Sequence, residues 1–309
     1  MNGFIGVTDN DWFAFLSQQV GIDEVNFWQP SGTSQFRALN PGEPFLFKLH
    51  APHNYIVGGG FFAHSSILPV SLAWEAFGIR NGAGSLLEMR RLIEKRRRQA
   101  TRLDDYQIGC IILTQPFFFD EPNWIPIPPD FRLNIVKGKT YSLNEGHGRH
   151  LWEQVRFLLE SLEQPIHETK ELSESQPRYG SPTLILPRLG QGGFRVVVTD
   201  AYQRRCAVTH TKTLPALEAA HIKPFSESGP HLVKNGILLR SDIHRLFDTG
   251  YVTISTDNHF EVSRRIREEF DNGDYYYGFH GNQIHVPQKP QFRPSEEFLS
   301  WHNENIFRG

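Results

Sequence analysis

Sulfur is scarce in this chain: 309 residues hold two cysteines, Cys110 and Cys206, and two methionines. Neither cysteine belongs to a Cys-x-x-Cys pair, which argues against a disulfide framework and against a four-cysteine structural zinc site. Cys110 sits inside the apolar run 108–113 and is expected to be a small buried hydrophobe. Long hydrophobic runs are also missing. No stretch approaches the roughly 20 apolar residues of a membrane span, so no membrane partner is expected. The first nine residues lack a basic segment followed by an apolar one, so no secretory leader is read there and the cytoplasm is the expected compartment. An excess of positive charge is missing as well. The net charge is −2 and the pI about 6.7, so any binding of phosphate backbones has to come from local clusters of Lys and Arg. What is present is ordinary for a folded protein, with 39% hydrophobic and 21% charged residues, which excludes global disorder. The length is large for one core and predicts two domains.

Along the chain, residues 4–8 have strand composition, and Thr8 or Asp9 stands at an N-cap position ahead of the apolar-patterned residues 12–16. Further strands are expected at 45–49, at 55–64 with a glycine break in its middle, and at 107–119. Residues 71–80, 85–103 and 149–163 carry helical pattern; in the second, Leu86, Met89 and Ile93 form one apolar stripe. Short strands with turns between them and a few helices predict a small barrel with helical decoration. Residues 164–183, rich in Glu, Ser, Pro and Thr and without apolar period, read as a linker. The expected division is therefore 1–163, a linker at 164–183, and 184–309, in an α+β chain.

The chemistry-bearing segment is Leu217-Glu-Ala-Ala-His221-Ile-Lys-Pro-Phe, followed by Asn235-Gly-Ile-Leu-Leu-Arg-Ser-Asp-Ile-His244-Arg-Leu-Phe-Asp248. Cutting a phosphodiester needs an activated water, an electrophilic metal on the phosphate and help for the leaving oxygen. A His near its free pKa suits the base, a second His on a helix suits a divalent metal, and an Asn amide can hold a loop or an imidazole in place. Residues 217–222 read as a strand, 224–234 as a loop, 235–239 as a return strand, and 241–247 as a helix with Ser241 at its N-cap. His210, His231 and His50 lack such support and read as surface or core residues.

This order and spacing resembles the ββα-metal arrangement of the HNH endonucleases. The flanks, Arg195-Val-Val-Val-Thr-Asp-Ala-Tyr202, Cys206-Ala-Val-Thr and Ser241 to Gly250, are similar to HNH domains attached to restriction enzymes, over roughly residues 188–256. The resemblance implies His221 as general base, Asn235 as orienting residue and His244 as a metal ligand. It also implies one divalent cation per site, Mg²⁺ first, with Mn²⁺, Ni²⁺ or Co²⁺ as substitutes. Many members carry a structural zinc; the two-cysteine chain implies none. Most members also carry an Asp or His directly before the base, where this chain has Ala220. The rest of the metal shell is open. Glu218, three before His221, should point to the opposite strand face, and Asp242 should point away from His244. Asp248, four after His244, shares its helix face and is a candidate second ligand, or else part of a helix-ending turn with Thr249 and Gly250. Water and phosphate oxygens complete the third alternative.

The front segments 4–8, 41–49 and 55–61 are similar to PUA-like barrels, the group of the EVE and SRA modules, over about residues 1–155. That likeness implies a domain that flips a modified base out of the duplex and reads it against aromatic rings. Trp28 and Trp124, each beside turn residues, are the candidate pocket walls. Arg90, Arg91, Lys95, Arg96, Arg97, Arg98 and Arg102 fall within thirteen residues against Glu94 alone, and read as a face for the DNA backbone. Together these imply a modification-dependent endonuclease of the type IV restriction kind, acting on double-stranded DNA with a modified base such as a 5-substituted cytosine, in defence against phage. Because HNH domains generally cut one strand, double-strand breaks would imply a homodimer. The rival readings are a nuclease triggered by a nucleotide signal or a backbone modification, and a binding module with a degenerate HNH domain.

Overall fold

A computed structural model describes residues 1–97, 105–162 and 189–309. The expected linker 164–183, together with Arg98 and Arg102, lies outside the described residues. The chain divides into two compact units, Met1–Pro187 and Arg188–Gly309. Among the described residues, no helix is long and apolar enough to cross a membrane.

The first unit begins with strand β1 (Asn2–Thr8) and helix α1 (Asn10–Leu16). Asp9 caps α1 by accepting from the N–H groups of Asp11 at 2.9 Å and Trp12 at 3.3 Å. There follow β2 (Glu24–Gln29), β3 (Pro44–Leu49), β4 (Tyr55–Pro69), α2 (Val70–Phe77), α3 (Leu86–Arg96), β5 (Gln107–Phe118), β6 (Ile125–Pro126), β7 (Gly138–Ser142) and α4 (Gly146–Leu162). Ser85 caps α3, and Met89 and Ile93 are its buried stripe; Arg97 is already extended. The strands form one sheet in the order β2-β5-β4-β3-β1-β7, with β6 on β4 and only β1–β3 parallel. The glycine break expected in 55–64 proves to be two register shifts, Gly59/Phe61 and Phe62/His64, through which β4 runs on to Pro69. Gly58 sits at φ +156, where a Cβ would run into the carbonyl of Phe117.

The expected closed barrel is not found. Among the described residues, β2 and β7 end the sheet without pairing to each other. The sheet nevertheless curls strongly. The rings of Phe27 on β2 and Phe45 on β3 are 4.7 Å apart although β5 and β4 separate their strands in the sheet, and Phe4 on β1 lies 5.2 Å from Phe45. Aromatic packing thus bends the sheet without the ladder that would close it.

The second unit holds α5 (Gln191–Ala201), β8 (Leu217–His221), β9 (Gly236–Arg240), α6 (Ser241–Asp248), β10 (Val252–Ile254), β11 (Phe260–Val262), α7 (Arg265–Phe270), α8 (Asp274–Tyr277) and α9 (Glu296–Asn305). β8 and β9 pair antiparallel with His221 opposite Gly236. Phe194, Val198 and Tyr202 of α5, Ile237 to Leu239 of β9, Ile243 and Phe247 of α6, and Phe298 and Leu299 of α9 share one apolar core. Both cysteines are buried, and neither is in a disulfide. Cys206 accepts hydrogen bonds at Sγ from the N–H groups of Thr209 and Arg240, each at 3.4 Å, and so binds its turn to the start of α6.

Candidate active site

The hairpin, the loop between its strands and helix α6 bring five titratable side chains into one neighbourhood. His221 ends β8. Its partner in the ladder is Gly236, where a Cβ would lie 2.6 Å from Val198 Cγ2 and 2.9 Å from the Phe194 ring. A glycine there lets Phe194 of α5 slide beneath the imidazole, stacked at 3.9 Å with 12° between the planes. Burial first, then the neighbouring imidazoles of His231 and His244, push the pKa of His221 down to about 4. At neutral pH the ring is therefore neutral, with a lone pair to accept a proton.

Asn235 holds the loop. It closes the short turn Val233–Asn235 just ahead of β9, rather than opening the strand, and it is fully buried. Its Oδ1 accepts from the N–H of Lys223 at 2.9 Å, and its Nδ2 donates to the carbonyls of Lys223 and Pro230, both at 3.0 Å. The loop between those points turns through Ser228, at φ +62. Gly229 follows, where any Cβ would strike the carbonyl of Lys223. His231 comes next. Sequence reasoning left it unassigned, yet its Nδ1 is 2.9 Å from His221 Nε2, and its ring stacks on Phe225 at 4.8 Å.

His244 lies on α6, whose N-cap is Arg240 and not Ser241; Arg240 is braced on Asp242 at 2.6 and 2.7 Å. Asp242 also meets Tyr276 at 3.1 Å and so faces away from the imidazole, as helical spacing requires. Glu218 corrects its expected placement. Its Oε2 is 2.6 Å from His244 Nδ1. Burial in β8 falls on Leu217 and Ala220 and leaves Glu218 and His221 both partly exposed, so strict alternation fails in a five-residue strand. Asp248 Oδ2 is 3.3 Å from His244 Nε2, one helical turn along.

These residues fit a divalent cation. Two donors of one small cation, each at about 2.1 Å and at a right angle, stand about 3 Å apart, close to the His244–Asp248 spacing. A carboxylate on the other ring nitrogen, here Glu218, is the usual brace of a metal-binding imidazole. The carboxyl of Asp248 is raised by desolvation, lowered by His244 and raised again by the charge of Glu218, as expected where two carboxylates converge without a full counter-charge. Among the described residues, no group of three or more His, Cys, Asp or Glu side chains is placed to hold a metal ion. A cation there would take His244 and Asp248 as its protein donors and fill its other positions with water and phosphate oxygens.

In the first unit, Trp28 and Trp124 part company. Trp124 donates from Nε1 to the carbonyl of Phe119 at 3.0 Å and packs its ring near Phe13 and His53. Trp28 donates to the carbonyl of Asn81 at 3.0 Å and lines a cavity of about 750 Å³. Both ends of the unclosed sheet contribute to that cavity: Phe27 and Gln29 from β2, and Val7 and Lys137 from the β1–β7 side, with Trp12 and Arg96. The basic run is partly engaged. Arg96 pairs with Asp9 at 2.6 Å, Lys95 with Asp11 at 3.4 Å, and Arg97 lies 4.3 Å over Tyr106, while Arg91 is exposed and Arg90 is half-buried.

Residues 206–255 match the family model described as HNH endonuclease. No curated protein matches the sequence. Among solved structures, one described as a modification-dependent TagI restriction endonuclease aligns with 98% of this chain and 81% of its own. It does so at 12% identity and a TM-score of 0.27, a likeness too loose to bear on fold or substrate. The matched span runs from Cys206 through His221, Asn235, His244 and Asp248 to Ser255, so the strand–loop–strand–helix frame of the second unit is an HNH endonuclease domain.

Proposed function

We propose that this chain is a modification-dependent DNA endonuclease that cleaves by metal-assisted hydrolysis in its HNH domain. The observation that carries the reading is a neutral, stacked imidazole, His221, beside the His244–Asp248 pair on the HNH frame. His221 takes the proton of the attacking water. Asn235 keeps the loop above it closed by binding Lys223 and Pro230. His244 and Asp248 would hold the divalent cation, Mg²⁺ by preference, with the His244 ring fixed by Glu218. When bound, that cation stabilises the charge that develops on the phosphate and the leaving oxygen.

The first unit selects the DNA. Its cavity joins aromatic walls, Trp12, Phe27 and Trp28, to the cations Arg96, Arg97 and Lys137, a combination suited to an extruded base and its phosphate. A 5-substituted cytosine is the proposed base, and two chains would act together where both strands are cut. The test is cleavage of plasmids with and without 5-substituted cytosine in Mg²⁺. Cleavage of the modified plasmid alone is expected, and His221→Ala should bind it without cutting. Equal cleavage of unmodified plasmid would defeat the base-reading role, and full activity in His221→Ala would defeat the assignment of the base. Absence of cleavage with every divalent metal tried would leave a binding module.

A further inference from the structure

We infer that His231 is the positioning residue of the general base: it accepts a hydrogen bond from His221 Nε2 and thereby reserves His221 Nδ1 for the proton of the attacking water. The inference rests on the nuclease reading of His221 and adds a residue that neither the motif nor the family match assigns a role.

The geometry leaves little freedom. With His221 Nε2 and His231 Nδ1 2.9 Å apart, one nitrogen must carry the hydrogen and the other the lone pair. Two neutral rings satisfy this in two ways. If His221 donates, its lone pair is on Nδ1, which makes no hydrogen bond among the described residues, on a side chain that is partly exposed. If His231 donates, the lone pair of His221 is consumed inside the pair and no base remains. A nuclease therefore requires the first arrangement, and the partner of a histidine's second nitrogen is what selects its tautomer. The other contacts hold the two rings in place. Phe194 stacks beneath His221 at 3.9 Å, and Phe225 stacks on His231 at 4.8 Å with 6° between the planes. The loop bearing His231 is anchored one residue earlier, where Asn235 binds the carbonyl of Pro230.

The proton balance closes. The water oxygen bonds to phosphorus as its proton passes to His221 Nδ1. The resulting imidazolium keeps its Nε2–H on His231, the scissile P–O bond breaks, and the leaving oxygen takes its proton from solvent. His221 then returns its proton to solvent. The titratable groups nearest the base are His231 from the loop and His244 from α6, the latter with Glu218 and Asp248.

The experiment compares His231→Leu, which removes the acceptor, with His231→Asn, whose Oδ1 stands where Nδ1 was. Two readouts are taken on the full chain: single-turnover cleavage of the modified plasmid in Mg²⁺, and the nitrogen-15 spectrum of the His221 ring, which reports the tautomer. The Leu variant should lose about 10–100-fold in the rate of cleavage with little change in KM. The Asn variant should recover most of that loss. The spectrum should show the Nε2–H form in the unmodified chain and in the Asn variant, and a mixture in the Leu variant. Native-like rates in His231→Leu, or an unchanged His221 tautomer there, would overturn the inference. If the unmodified chain cuts no DNA with any divalent metal, the nuclease reading fails by itself, and the spectrum still decides whether His231 sets the tautomer.

Discussion

Replacing Asn235 puts the architecture of the site under the most direct strain. Its buried amide makes three hydrogen bonds to the backbone of the loop, two to Lys223 and one to Pro230, at 2.9 to 3.0 Å. Asn235→Ala removes all three and leaves one N–H and two carbonyls without their partner. At a net value of about 1 kcal/mol for each bond, the loss is about 3 kcal/mol. The hairpin itself should persist, because the bond from Ile222 N–H to the Asn235 carbonyl does not involve the side chain. The loss is therefore local, and it should raise the exchange rate of the Lys223 amide hydrogen by roughly 100-fold. Asn235→Asp sharpens the test. It keeps the acceptor for Lys223 N–H but turns a carboxylate oxygen toward two carbonyl oxygens, so it should be no better than Ala despite its near-identical shape. Hydrogen exchange followed by mass spectrometry or NMR reads the first effect, and urea titration the second. An unchanged Lys223 exchange rate in the Ala variant, or an Asp variant as stable as the parent, would refute the role given to this amide.

His302 is 2% exposed and stacks on Phe247 at 3.7 Å, and burial pushes its pKa down to about 4. The unfolded chain takes up that proton near pH 6.5. Stability from this group is thus complete above pH 6.5 and lost by pH 4, about 3 kcal/mol in all; His221, lowered likewise, adds to the slope. Urea midpoints measured from pH 7 to 4 should fall accordingly, and less steeply in His302→Gln; a flat profile would contradict the burial argument. Calorimetric titration with Mn²⁺ should show binding lost in His244→Ala and weakened in Asp248→Asn. Glu218→Gln should weaken it by about 10–100-fold through the orientation of the ring, and undiminished binding in all three would place the metal elsewhere. Gly236→Ala drives a methyl into Val198 and Phe194 and should cost about 1–3 kcal/mol in a urea melt while disturbing the stack under His221. A neutral result there would mean that α5 yields easily.

Much of the secondary structure was legible because local rules governed it. Asp9 caps α1, the stripe of Met89 and Ile93 turns inward on α3, and residues 107–118 form a strand as their composition predicts. Local rules failed at one helix start, by a single residue, and where residues distant in sequence decided the outcome. Ser241 looked like an N-cap, but Arg240 takes that position at the end of β9. The ends of the front sheet stay apart, and residues of both line a cavity, although the strand pattern alone suited a closed barrel.

Within the site, the sequence by itself determined the pieces whose relation is set by backbone period. His244 and Asp248 share a face because they stand one helical turn apart, and Asp242 faces away for the same reason. The strand–loop–strand–helix order around His221 and Asn235 was equally plain. Only the tertiary structure decided what surrounds His221. Phe194 arrives from a helix that precedes the motif, His231 is carried in by a loop whose path depends on the three bonds of Asn235, and Glu218 reaches His244 across the turn from strand to helix. None of these contacts has a fixed sequence spacing. A helix or strand repeats its geometry at every residue, whereas a loop's side chains go where its long-range hydrogen bonds send them.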